Sequence, residues 1–270
     1  MLFRSFKRAI LGFVKWVLTI TYLVIALSFV SKREHQVTCS GINIEISDSL
    51  QNAFITKADV LRTIERYHSN LIGIPIKMIN TLKIEQSLGE MQAASNVIAY
   101  KTSNGKLSVI IEQRKPMVRI INRKGESYYI DQEGQILPLS TKFTSHVMII
   151  NGNIDEPYKI EPNVKITDWA KNSNKEALPL ICKLFDFAKH INSDKFWTAQ
   201  ISQVYVDDSN NIELIPRVGP HTVLLGSLDE YKEKLEKLKL FYKNALPEEG
   251  WNKYKQINLK YRNQIVCTKR

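Results

Sequence analysis

The run from Ala9 to Val30, AILGFVKWVLTITYLVIALSFV, carries a single charge, Lys15. Wound as a helix at about 1.5 Å per residue it reaches roughly 33 Å, enough for the hydrocarbon core of a bilayer. The sequence therefore predicts a transmembrane helix over residues 9–31. Lys15 lies near one end, where its stem can carry the ammonium to the interface. Trp16, Tyr22 and Phe29 are the expected membrane-anchoring aromatics. Arg4, Lys7 and Arg8 precede the span, whereas Lys32 and Arg33 are followed at once by Glu34. The stronger positive bias keeps residues 1–8 in the cytoplasm and places the chain beyond about residue 32 outside. A cleaved signal peptide is the rival reading: Ala26-Leu27-Ser28 is a passable cleavage site, although Phe29 and Val30 continue the apolar run past it.

This topology decides how the net charge of +11 is read. A cytosolic protein of that charge would invite nucleic acid as a partner. A chain facing away from the cytoplasm has no access to it. The basic surface instead suits anionic lipid, cell-wall polymers or acidic partner surfaces, or is simply a solvated face. Cys39, Cys182 and Cys267 are far apart and form no CxxC pair, which argues against a disulfide framework or a structural zinc site. They read as small packed hydrophobes.

Residues 37–113 read as a small α+β unit. Ile42, Ile44 and Ile46 alternate with polar residues as in a strand with one buried face. Thr56-Lys-Ala-Asp59 resembles a capping box, and Val60, Leu61, Ile64 and Tyr67 follow at helical spacing. A second short helix runs through Leu82, Ile84 and Leu88. Two β-rich runs, Val97 to Thr102 and Leu107 to Glu112, join around Asn104-Gly105, which predicts a type I′ hairpin. The order is β-α-α-β-β, with helices on one face only.

Residues 114–266 read as a larger, mainly antiparallel β domain with two helices. Short strands are predicted at Val118 to Ile121, Ser127 to Ile130, Ile136 to Leu139, Val147 to Asn151, Ile201 to Val206, Ile212 to Pro216 and Thr222 to Leu225. One helix carries Leu178, Ile181, Leu184, Phe185, Ala188 and Ile191 on its stripe, with a cap at Ser173–Glu176. A second begins at the cap Ser227-Leu-Asp-Glu230 and buries Tyr231, Leu235, Leu238, Tyr242 and Ala245. The segment Lys255 to Cys267 reads as one last strand at or near a sheet edge, with Ile257, Leu259, Tyr261, Asn263 and Ile265 to one side. Residues 267–270 read as a short basic tail.

Catalytic patterns are weak. Ser103-Asn-Gly-Lys106 matches Ser-x-x-Lys, but that serine must open a helix and here it flanks a hairpin turn. The five histidines show no metal-ligand spacing, and no phosphate loop, nucleophile elbow or dinucleotide fingerprint occurs. Asp131, Glu133, Asp207 and Asp208 are the only acids that suggest glycan cleavage, and turn chemistry accounts for them. No cofactor, metal or small-molecule substrate is expected, and binding is a better reading than reaction.

The order of motifs resembles a family. Leu107-Ser-Val-Ile-Ile-Glu-Gln113-Arg114-Lys-Pro116 resembles the Gln-Arg-x-Pro junction at which the POTRA domain of FtsQ/DivIB proteins meets their β domain. Ser127-Tyr-Tyr-Ile-Asp131-x-x-Gly134-x-x-Leu137-Pro-Leu139 resembles that family's next hairpin. Leu214-Ile-Pro-Arg217-Val-Gly219, the Lys-rich helix at 229–246 and Ile257 to Val266 are similar to the version in Bacteroides-group bacteria. The resemblance implies a non-enzymatic, bitopic inner-membrane protein of the division septum. It would bind FtsB- and FtsL-like partners and, through them, help control the septal peptidoglycan synthase complex. It also implies that the FtsB-like partner adds along the last strands by strand pairing. Tyr261 would be a contact residue, with Ile257, Leu259, Asn263, Gln264, Ile265 and Val266 around it; the alternative reading makes Tyr261 a core aromatic of the terminal strand. The alternatives are a membrane-anchored cell-wall hydrolase and a POTRA-type secretion or transport component.

Overall fold

The computed structural model describes residues 14–27, 37–48, 53–68, 70–156, 165–171, 178–208 and 211–270. Residues 14–27 form helix α1, on which Trp16 and Tyr22 are exposed. Among the described residues no helix is long and apolar enough to cross a membrane. The described part of α1 covers about 21 Å of the predicted span. The flanks of that span, Phe29 among them, lie outside the described residues, as does the predicted cap at 173–176.

The described chain divides into two units. The first comprises Met1–Ser47, Thr56–Gly89 and Asn96–Glu112. It contains β1 (Gly41–Ser47), α2 (Lys57–His68), a 3-10 turn at Ile76–Met78 and α3 (Thr81–Gly89), then most of β2 (Ala94–Lys101) and β3 (Lys106–Gln113). The β-α-α-β-β order predicted from the sequence is present. The strands lie in the order β1-β3-β2, with β1 parallel to β3 from Gly41↔Lys106 to Ser47↔Glu112. Central β3 buries Leu107, Val109 and Ile111 completely, while Val60, Ile64, Ile84 and Leu88 cover it from the helices.

The start of α2 is a reciprocal cap. Thr56 Oγ1 accepts the Asp59 amide at 3.3 Å, and Asp59 Oδ2 accepts the Thr56 amide at 3.0 Å. Its stripe is narrower than predicted. Val60 and Ile64 are buried, whereas Leu61, Tyr67 and, on α3, Leu82 face solvent.

The hairpin forms where Asn104-Gly105 predicts it, with a different turn. Among the described non-glycine residues only Asp48 and Glu230 have positive φ, so Asn104 is not left-handed and type I′ is excluded. Gly105 alone adopts φ +79°, and its amide donates to the Thr102 carbonyl at 3.1 Å. That is the three-residue loop with a glycine bulge. Thr102 favours it, because its Oγ1 accepts the Lys106 amide at 3.0 Å and closes the loop from the side chain.

The second unit, Asp48–Ile55, Glu90–Ser95 and Gln113–Arg270, is built on a nine-stranded sheet. Its strands are β4 (Pro116–Ile121), β5 (Ser127–Asp131), β6 (Ile136–Leu137), β7 (Met148–Gly152), β8 (Ile201–Val206), β9 (Ile212–Pro216), β10 (Thr222–Gly226), β11 (Tyr254–Asn258) and β12 (Val266–Lys269). Their order is β12-β11-β10-β9-β8-β7-β4-β5-β6.

The sheet is mainly antiparallel, with parallel pairing at β4–β7, β7–β8 and β10–β11. Two of these pairs follow from helical crossovers, which return the chain to the end at which the preceding strand began. Helices α4 (Ile166–Lys171), α5 (Leu180–Ser193) and α6 (Lys195–Gln200) stand between β7 and β8. Helices α7 (Tyr231–Asn244) and α8 (Leu246–Glu249) stand between β10 and β11. The two predicted helices are thus five among the described residues.

Their ends also differ from expectation. Pro179 is the N-cap of α5, where its missing amide costs no helical bond. Glu230 caps α7 in a left-handed conformation with no side-chain bond, so the predicted Ser227 capping box is not made. Ser227 instead offers its carbonyl to the Lys234 ammonium at 2.8 Å.

The core lies between this sheet and the helices. Phe187, Trp197 and Leu235 are buried against Val118, Ile150, Val204 and Leu214. His221 is buried with Nε2 2.7 Å from the Tyr242 hydroxyl. Burial pushes the histidine pKa down, which keeps the ring neutral in the folded chain, and pushes the Tyr242 phenol well above its usual range. Cys39 and Cys182 are buried free thiols, and Cys267 is half-buried.

Candidate functional site

The Gln-Arg-x-Pro junction is a structural lock. Gln113 Oε1 accepts the Ile55 amide at 2.8 Å in a buried setting. Arg114 Nη1 lies 2.8 Å from Asp131 Oδ2 and 3.3 Å from Glu133 Oε2. Asp131 Oδ1 accepts the Glu133 and Gln135 amides at 2.9 and 2.8 Å. Lys165 completes the group at 3.0 Å from Glu133, and its ammonium, followed by Arg114, holds the Glu133 carboxyl below the ordinary range. The two motifs that suggested a family junction therefore dock on each other through charge.

The same contacts occupy the acids that suggested hydrolysis. Asp207 accepts the Asn211 amide at 2.7 Å and closes the β8–β9 turn, while Asp208 accepts the Asn153 side-chain amide at 2.7 Å. Among the described residues no group of three or more His, Cys, Asp or Glu could hold a metal ion. Ser103 sits in the β2–β3 turn.

The predicted last strand is divided in two. Its first part is β11, which lies between β10 and β12, so this strand has a neighbour on both sides. Ile257 and Leu259 are buried completely. The Leu259 amide bonds the Leu224 carbonyl at 2.8 Å, and the Asn258 side chain accepts the Lys260 amide at 2.9 Å. The first bond completes the parallel ladder with β10, the second forms as the chain leaves the strand, and residues 259–265 form a loop. Tyr261, Asn263 and Gln264 are exposed in that loop; Tyr261 retains 51% of its surface and is not a core aromatic. Ile265 packs on the core from the end of the loop. The chain then returns as β12, antiparallel to β11, which brings Val266 opposite Asn258 and Cys267 opposite Ile257. Thr268 and Lys269, predicted as tail, belong to this strand.

Edge geometry follows from the pairing. The Arg270 amide donates to the Lys253 carbonyl at 3.1 Å, and a bulge separates the pairs Tyr254↔Lys269 and Gln256↔Thr268. Alternation along an antiparallel strand then turns the backbone groups of Val266, Thr268 and Arg270 toward β11 and those of Cys267 and Lys269 outward. Among the described residues β12 is the outer strand of the sheet. It is short and cationic, the features that keep an edge from indiscriminate pairing. Residues 251–270 contain Lys253, Lys255, Lys260, Arg262, Lys269 and Arg270 and no acid, so the segment itself is strongly cationic. The β-branched Val266 and Thr268 and the Ile265, Cys267, Lys269 alternation were the signal for this strand in the sequence.

A model for the family FtsQ/DivIB, C-terminal related, matches residues 115–268, more than half of the chain. The chain belongs to the FtsQ/DivIB family. A model for a POTRA-like domain matches residues 37–112. The FtsQ/DivIB match spans β4 through most of β12, and the POTRA-like match spans β1 through most of β3. No curated protein matches the sequence. FtsQ/DivIB proteins are cell-division proteins and generally non-enzymatic.

Proposed function

We propose that this FtsQ/DivIB-family chain is a bitopic divisome scaffold whose β12 edge receives an extended segment of an FtsB-like partner. The observation that carries this reading is the position of β12: an outermost strand whose Cys267 and Lys269 backbone groups point away from β11. Strand addition supplies affinity through backbone hydrogen bonds and specificity through alternate side chains. The acid-free stretch 251–270 favours a partner segment that carries Asp or Glu. Tyr261, presented on the loop beside this edge, gives the partner an aromatic contact, with Asn263, Gln264 and Val266 as further exposed contacts. Ile257 and Leu259 support the edge from within the core. An FtsL-like protein joins through the FtsB-like one, and the complex acts on the septal peptidoglycan synthases. The span at 9–31 anchors the chain in the inner membrane at the septum, with residues 1–8 cytoplasmic and the two units periplasmic.

Depletion of the protein in its own cells is expected to give filaments without septa, and normal division on depletion would reject the reading. Tyr261→Glu, which places a carboxylate in the contact, is expected to weaken recovery of the FtsB-like partner about tenfold in pull-downs. Recovery equal to wild type would remove Tyr261 from the contact.

A further inference from the structure

We infer that Lys237 of helix α7 is the positioning residue that fixes the β11–β12 loop and thereby presents the β12 edge. The inference rests on the docking reading above. The loop leaves β11 under firm control, with the Leu259 amide on the Leu224 carbonyl and the Lys260 amide on the Asn258 side chain. The Lys260 stem lies over Gly226, close enough that a Cβ there would stand 2.9 Å from Lys260 Cγ. Beyond Lys260 the backbone passes Tyr261 and Arg262 before it returns as β12. At those two residues Lys237 Nζ donates to both carbonyls, at 3.1 Å to Tyr261 and 2.7 Å to Arg262.

The base of this strap is rigid. Leu235 and Leu238, on either side of Lys237 in α7, are buried in the core. The lysine crosses a crevice lined by Ser227, Glu233, Lys234, Leu259, Lys260 and Arg262. One ammonium thus ties the β11–β12 loop to a helix whose Leu235, Leu238 and Tyr242 are buried in the core. The groups that it holds are main-chain carbonyls, so the strap fixes backbone position whatever side chains the loop carries. Charge-assisted bonds to two successive carbonyls order both residues together. A strand that receives a partner gains affinity when it is ordered beforehand, since the partner then loses less to ordering on binding.

The test uses the full chain in detergent and, as probe, the purified FtsB-like protein of the same cell. Lys237→Met keeps the stem and removes the ammonium, Lys237→Arg keeps the donors, and Lys269→Pro removes one of the two outward β12 amides. In Lys237→Met, amide exchange across 261–266 is expected to accelerate about tenfold while β10 and β11 stay protected. Its affinity for the probe falls about tenfold, Tm moves by less than about 3 °C, and Lys237→Arg restores most of both losses. Wild-type exchange in Lys237→Met overturns the strap, as does faster exchange with unchanged affinity. If Lys269→Pro abolishes binding in the same series, only the strap has failed. If Lys269→Pro binds as wild type does, the docking reading fails, and the role of Lys237 in presenting the edge falls with it.

Discussion

Asp131→Ala is expected to destabilise the second unit by about 3–5 kcal/mol, the cost of leaving a buried charge without its partner. The Asp131 side chain is 5% exposed and that of Arg114 is 14% exposed. Removal of the carboxylate leaves the guanidinium with Glu133 alone, at 3.3 Å and itself largely solvated. It also strips acceptors from the Glu133 and Gln135 amides. Asp131→Asn keeps an oxygen for those amides and loses the charge and the acceptor for Arg114, so its cost should be smaller. Denaturant midpoints measured on the full chain distinguish the two variants. An alanine cost below about 1 kcal/mol would show that the junction is not a lock.

Gly152→Ala should be nearly as damaging. Gly152 ends β7 at φ +110°, opposite Val206 of parallel β8. A Cβ there would lie 2.2 Å from the Val206 carbonyl oxygen and 2.9 Å from its nitrogen. That carbonyl also accepts the Asn153 amide at 3.0 Å, so the two strand ends cannot separate without losing a bond. The expected cost is about 3 kcal/mol, or a fall in Tm of roughly 6–12 °C. Gly125→Ala is the control. Gly125 has φ +81° and open space around its Cβ direction, so it carries the backbone strain alone, about 1 kcal/mol. Equal losses for the two variants would refute the steric argument.

What the sequence disclosed was local, and what it concealed was long-range. Ile201 to Val206 and Ile212 to Pro216 were legible to the residue because alternation and flanking turns define a strand by itself. The helices on either side of the β8–β9–β10 meander were legible from their stripes. Their consequence, parallel pairing of β7 with β8 and of β10 with β11, depends on where the chain returns, which periodicity does not encode. Asn104-Gly105 announced a hairpin, but the choice between turn types belonged to Thr102, two residues away.

The candidate edge was only half legible, for the same reason. Ile257, Leu259, Tyr261, Asn263 and Ile265 keep the period of one strand, yet the chain bends after Asn258. The bonds that hold the chain after the bend, Lys237 to Tyr261 and Arg262, come from α7. The bend moves the free edge from the middle of the predicted strand to Val266–Lys269. Ile257 and Leu259 thereby become supports in the core, while Thr268 and Lys269 join the edge.

The central claim is that the outward backbone of β12 accepts a partner strand. Its most direct test is the affinity of the full-length Lys269→Pro chain for the FtsB-like protein of the same cell, measured beside Lys269→Ala. Proline removes one of the two outward amides and leaves the inward bonds of Thr268 and Arg270 in place. The account predicts at least about a tenfold loss for proline, with alanine close to wild type and the β12 amides that face β11 still protected from exchange. Wild-type affinity in the proline variant would contradict it.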